Sequence, residues 1–189
     1  MGRPSLGADQ RSAVEAITGS GNGLDVVIGP AGTGKTFLLD AAREAWESSE
    51  KRVIGTSLAA RAAVELTAGS AIPAVTADRL LRYIEIGRER FDASTVLVVD
   101  EAGMLGTRRL AALVAEAAAN DAKIVLVGDP RQLPEIDAGG LFRGLAARLG
   151  YVELTENRRQ RDPVEREVAV ELRRGSSTTR WRASATTAR

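Results

Sequence analysis

Cysteine and histidine are both absent from the 189 residues. Without cysteine there can be no disulfide, no thiolate metal site and no Cys nucleophile. Without histidine there is no His-bound zinc, no Ser-His-Asp triad and no imidazole base. Aromatic residues make up only 4% of the chain, and lysine is confined to Lys35, Lys51 and Lys123. Neither sign of charge prevails: 26 Lys+Arg stand against 25 Asp+Glu, a net charge of +1. That excludes a basic nucleic-acid glue and an acidic solvating tail. No stretch approaches the roughly 18 apolar residues needed to span a bilayer. Met1–Ser5 has no apolar run behind it and does not read as a signal peptide, so the expected location is the cytoplasm with no membrane partner. The available chemistry is that of carboxylates, Lys, Arg, Ser/Thr and backbone amides.

What is present suffices for one well-cored domain: 44% of residues are hydrophobic and 27% charged. Helix and strand patterns alternate along most of the chain. Ala8–Ile17, Lys35–Trp46, Ala59–Leu66, Thr76–Ile84, Arg108–Ala119 and Leu141–Leu149 have helical spacing. Leu24–Ile28, Arg52–Gly55, Thr95–Val99, Ala122–Val127 and Tyr151–Leu154 read as short buried strands. Asp162-Pro163 places a proline at the first turn of a last helix running to about Arg174. Strands separated by helices imply an α/β fold with a parallel sheet covered on both faces. Residues 1–174 form the expected domain. Residues 175–189 are rich in Ser, Thr and Arg and read as a disordered tail, with Trp181 between Arg180 and Arg182.

Three motifs fall where strands end. Gly29-Pro30-Ala31-Gly32-Thr33-Gly34-Lys35-Thr36 matches G-x-x-x-x-G-K-[ST] directly after a strand and at the start of a helix. Its glycines let the loop curl so that successive N–H groups face a polyphosphate, and the helix start adds further unpaired N–H groups. Lys35 is placed to meet the β/γ-phosphates and the Thr36 hydroxyl to ligate Mg²⁺. Asp100-Glu101 follows the strand Val96–Val99, in the crevice where open α/β sheets bind ligands. Asp100 is expected to hold the Mg²⁺ hydration shell, and Glu101 to accept a proton from an attacking water. An acidic pair after a strand is often a solvated turn, but the phosphate loop changes that reading. Gly128-Asp129-Pro130-Arg131-Gln132-Leu133 again runs from strand into loop. The neutral amide of Gln132 can bond a γ-phosphate oxygen or the catalytic water.

With these motifs the chain resembles the first RecA-like motor domain of a superfamily 1 helicase, most closely the 1B branch. Within that branch it is similar to the helicase part of MobF-type conjugative relaxase-helicases and of exonuclease-subunit helicases. The residues carrying the resemblance are Leu6, Asp9 and Gln10; Gly29–Thr36; Gly55-Thr56-Ser57 with Arg61-Ala62-Ala63; Thr76; Asp100–Met104; Gly128–Leu133; and Leu154–Gln160. They occur in family order over roughly residues 6 to 174.

The resemblance implies a P-loop NTPase with a three-layer, mostly parallel sheet domain, using ATP and Mg²⁺ to drive 5′ to 3′ movement on DNA. It gives Gln10 the adenine edge and Arg159 the γ-phosphate, with Arg158 as the alternative one residue away. Thr56, Ser57 and Thr76 would face single-stranded DNA, holding phosphates without many lysines; solvated loop hydroxyls remain an equal reading of these positions. About a dozen residues separate Leu81 from Ser94, room for no more than a short pin-like element.

Later family motifs are missing, so a second RecA-like domain or chain is expected to complete the ATP site. The isolated chain is then expected to turn over slowly, as a truncated or split motor or a gene remnant. The competing reading is a non-helicase P-loop switch acting on a protein partner.

Overall fold

The structure is a computed structural model that describes residues 6–132 and 140–155. Its elements, in order, are α1 (Ala8–Gly19), β1 (Leu24–Ile28), α2 (Lys35–Ser48), β2 (Arg52–Ser57), α3 (Ala60–Ser70) and β3 (Ala74–Thr76). Then follow α4 (Ala77–Glu85), β4 (Thr95–Val99), a 3₁₀ turn (Ala102–Met104), α5 (Thr107–Ala119), β5 (Lys123–Gly128), α6 (Gly140–Leu149) and β6 (Val152–Glu153). The strands form one six-stranded sheet in the order β3-β2-β4-β5-β1-β6. Its described pairings are all parallel, so every strand ends on the same rim.

Side chains alternate across a strand, and the sheet uses both of its faces. Val26, Ile28, Leu97, Val99, Ile124 and Leu126 face a core closed by Leu80, Leu110, Leu113 and Phe142 from α4, α5 and α6. Val27, Val53, Val96, Val98, Val125 and Val127 face a second core with Ile17, Leu38, Leu39, Trp46 and Leu66 from α1, α2 and α3. This is the expected three-layer α/β arrangement. Fully buried aliphatic residues such as Leu38 and Leu110 contribute about 1.5–3 kcal/mol each by leaving water.

Among the described residues, predicted and observed elements agree to within a few residues at their ends, with two additions, the 3₁₀ turn Ala102–Met104 and a short strand. Ala74–Thr76 is a strand, pairing with Gly55–Ser57 at the sheet edge. Three residues are too few to show a period of two, and the helical spacing that begins at Thr76 masks them. Thr76 itself caps α4, its hydroxyl accepting from Arg79 N at 3.4 Å. No helix among the described residues is long and apolar enough to cross a membrane. The expected helix at 162–174 and the tail at 175–189 lie outside the described residues.

Candidate nucleotide site

The three motifs meet because β4, β5 and β1 are neighbours in the sheet. The loop after β1 begins with Gly29 N donating to Gly128 O at 3.0 Å, which ties the phosphate loop to the end of β5. Within it, Gly32 and Gly34 have φ of 89° and 77°, a left-handed backbone that side chains disfavour. Thr33 is buried and its hydroxyl donates to Pro30 O at 2.9 Å, closing the curl. α2 then starts at Lys35, and Lys35 Nζ donates back to Gly29 O at 2.7 Å and Pro30 O at 3.2 Å. A primary ammonium held on loop carbonyls can exchange them for phosphate oxygens with little movement of its stem.

Asp100 follows β4 and is anchored from both sides. Its N–H donates to Thr56 O at 2.8 Å, and its Oδ1 accepts from Glu101 N at 2.9 Å. Burial pushes its carboxyl above the ordinary aspartate value and the neighbouring Glu101 adds to this; the Glu101 N–H and the positive charge of Lys35 pull the other way. A desolvated carboxylate near a lysine is short of cation, a condition a divalent ion relieves. Glu101 sits at φ 54°, ψ 33°, a left-handed conformation uncommon for a side-chain-bearing residue. That bend turns the chain directly from β4 into the 3₁₀ turn and sets the carboxylate beside Ser57, whose hydroxyl lies 3.3 Å from Glu101 Oε2.

Beneath these loops the packing is tight. A Cβ on Gly128 would stand 3.1 Å from Gly103 N and 3.2 Å from Phe142 Cζ. The bare backbone at these glycines lets the β5 loop lie against the turn carrying Asp100 and Glu101. Gln132 follows in that loop, half-buried, with its N–H donating to Asp129 O at 3.2 Å. Strand adjacency thus brings Lys35, Thr36, Asp100, Glu101 and Gln132 to one rim. Arg158 and Arg159 lie outside the described residues, as does Leu133.

Other candidate residues are committed within the fold. Gln10 is fully buried, and its amide Nε2 donates to Thr33 O at 3.1 Å and Gly34 O at 3.2 Å. Its Oε1 accepts from Gly7 N at 3.1 Å, capping α1. The amide expected to meet adenine therefore braces the back of the phosphate loop. Thr56 and Ser57 are also fully buried; the Thr56 hydroxyl donates to Val75 O at 3.0 Å and that of Ser57 faces Glu101. Both hydroxyls expected to meet DNA thus point into protein, because parallel strands on either side enclose the end of β2. Thr76 alone of the three is half-exposed.

Thr36 and Asp100 are hard oxygen donors, and among the described residues no cluster of three or more His, Cys, Asp or Glu could cage a metal. That donor set fits Mg²⁺, which keeps several waters and takes few protein oxygens alongside phosphates. It does not fit zinc.

A phosphate loop, a buried aspartate and a strained glutamate at the rim of a parallel sheet define a P-loop NTPase domain of RecA-like architecture. The chain belongs to the AAA domain family, which it matches over residues 5–188. It is 43% identical over 172 residues to a probable conjugal transfer protein TraA of Sinorhizobium fredii, covering 90% of this chain and 15% of that protein. It is 33% identical over 165 residues to the ATP-dependent RecD2 DNA helicase of Deinococcus radiodurans, covering 84% and 22% respectively. The chain thus spans less than a quarter of the length of either relative. Among solved structures it shares the fold of the Pif1 helicase of Candida albicans, at a TM-score of 0.66 and 21% identity, covering 90% of this chain and 44% of that one. The resemblance to a superfamily 1B motor domain holds, and the protein-switch alternative is not favoured.

Proposed function

We propose that this domain binds Mg-ATP and forms the first half of a DNA-translocating motor, hydrolysing ATP in response to single-stranded DNA. The observation that supports the reading best is the shared rim: Lys35 follows β1 and Asp100 and Glu101 follow β4, with only β5 between the two strands, and the charges of Lys35 and Glu101 both act on Asp100. Lys35 and the loop N–H groups bind the β- and γ-phosphates, while Thr36 and Asp100 hold Mg²⁺, which neutralises charge on the phosphate oxygens. Glu101 takes the proton of the attacking water, and Gln132 orients that water or the γ-phosphate. Arg159, the arginine of the Arg159-Gln160 pair, is assigned to the γ-phosphate by the resemblance, with Arg158 as the alternative.

A second RecA-like domain supplies the rest of the ATP pocket and of the DNA track. Without it turnover is slow, since a missing transition-state arginine costs roughly 10³–10⁵ in rate. Thr76 and the backbone after Ser57 contact DNA phosphates, with Thr56 and Ser57 supporting that edge from inside. The conjugal transfer relatives point to a place in DNA transfer between cells.

Fluorescent mant-ATP titration of the full chain, with and without single-stranded DNA, tests this. Wild type is expected to bind in a Mg²⁺-dependent way and to turn over faster with DNA. Lys35→Ala should bind at least about tenfold more weakly, as loss of a charge-assisted phosphate contact implies. Equal binding by Lys35→Ala would sink the site assignment. An ATPase rate indifferent to DNA would sink the motor reading.

A further inference from the structure

α3 ends beside the phosphate loop, and its penultimate residue is a glycine with no backbone reason to be one. Gly69 lies inside the helix at ordinary helical φ, whereas the residue that does turn left-handed is Ala71, at φ 56°. Glycine in a helix interior costs stability relative to alanine. The neighbour accounts for it: a Cβ on Gly69 would overlap the Cγ2 methyl of Thr36. The same Cβ would lie 3.4 Å from Thr36 Cβ and 4.0 Å from its Oγ1. The methyl of Thr36 is therefore turned toward α3, and its hydroxyl away from it.

We propose that Gly69 is a positioning residue for the Mg²⁺-binding hydroxyl of Thr36: the space it leaves selects the Thr36 rotamer that aims Oγ1 at the metal. This rests on the nucleotide-site reading above. Threonine in a helix divides mainly between two rotamers, and changing between them moves methyl and hydroxyl together. A methyl group added at position 69 pushes on the Thr36 methyl, and the hydroxyl is re-aimed with it.

The end of α3 cannot simply back away. Arg43 of α2 donates to Ser70 O at 2.9 Å and is itself held by Asp40 at 2.8 Å and by Glu47. Below, Leu66 and Ile72 are fully buried against Gly55, where a Cβ would already stand 2.9 Å from Leu66 Cδ2. Gly69 itself is exposed, so alanine there does not cut into the core.

The test measures mant-ATP binding by the full chain across a MgCl₂ series and in EDTA. Gly69→Ala is expected to need about tenfold more Mg²⁺, the low end of losses seen when a metal ligand's support is altered. Its affinity in EDTA should match wild type, and its Tm should be no lower. Thr36→Ser keeps the hydroxyl and removes the methyl that a new Cβ at position 69 would strike. The double variant Thr36→Ser/Gly69→Ala should therefore show the same Mg²⁺ dependence as Thr36→Ser alone. An unchanged Mg²⁺ requirement in Gly69→Ala, or a double variant still weaker than Thr36→Ser, overturns the proposal while leaving the site intact. Wild-type binding that ignores Mg²⁺, or Lys35→Ala binding as well as wild type, overturns both.

Discussion

The two rims of the sheet each hold a lysine and an aspartate. At the amino-end rim, Lys123 Nζ meets Asp25 Oδ2 at 2.6 Å and also donates to Ser20 Oγ and to Asn22 O. Ser20 and Asn22 side chains add hydrogen bonds to the same carboxylate at 2.7 and 3.1 Å. Each charge is answered locally. At the carboxyl-end rim, Lys35 rests on loop carbonyls, Asp100 is pushed toward its neutral form by burial, and Glu101 is held in a left-handed bend. One rim is finished by its own side chains; the other holds charge and strain that a triphosphate and a divalent cation would resolve.

Substitutions should separate the two rims, with activity changing at one and stability at the other. The largest effect is expected from Glu101→Gln, which keeps size and can keep the Ser57 contact but cannot accept a proton. Phosphate release should fall by roughly 10²–10⁴, with mant-ATP affinity and Tm at wild-type levels. Next is Lys123→Met, which leaves Asp25 without its cation in a site where the two side chains are only 17% and 11% exposed. Urea unfolding should show a loss of about 2–3 kcal/mol, below that of a fully buried pair, with unchanged nucleotide affinity in the folded protein.

Asp100→Asn should do the reverse of Lys123→Met, raising Tm on the order of 2–4 °C near neutral pH while abolishing Mg²⁺-dependent turnover. The sign follows from linkage. A carboxyl whose folded value is raised binds its proton more tightly in the native state than in the unfolded chain, so wild type gains stability as pH falls through that value. The advantage of Asn, measured as ΔTm across a pH series, should therefore shrink toward acid. The smallest effect concerns neither rim: Ala71→Gly, at the left-handed end of α3, should stabilise by about 0.5–1 kcal/mol in the same urea assay.

Much of this contrast was legible in the sequence at the binding rim. Each of its three motifs combines an apolar run with an abrupt polar or glycine-rich stop, a pattern that local sequence carries unaided. The order in which β4, β5 and β1 lie side by side is what the structure adds, and it places the motifs together. Where local sequence is silent, the deciding partner is distant along the chain. Gln10 is drawn to carbonyls 23 and 24 residues away, and Thr56 is enclosed by a three-residue strand too short to show itself. The expected helix Ala59–Leu66 stops short of Gly69, and the neighbour that explains this glycine, Thr36, lies on another helix. The Lys123–Asp25 pair, separated by 98 residues, gave no sign at all.

Phe142 and the bare backbone at Gly103 and Gly128 form the floor under the turn that carries Asp100 and Glu101, and the fit is mutual. A methyl at 128 would press on the backbone nitrogens of Gly103 and Ala102, at 3.1 and 3.4 Å, as well as on Phe142, so a smaller side chain at 142 does not by itself make room for it. Position 128 should therefore stay glycine in related chains even where position 142 changes, a constraint set by backbone packing.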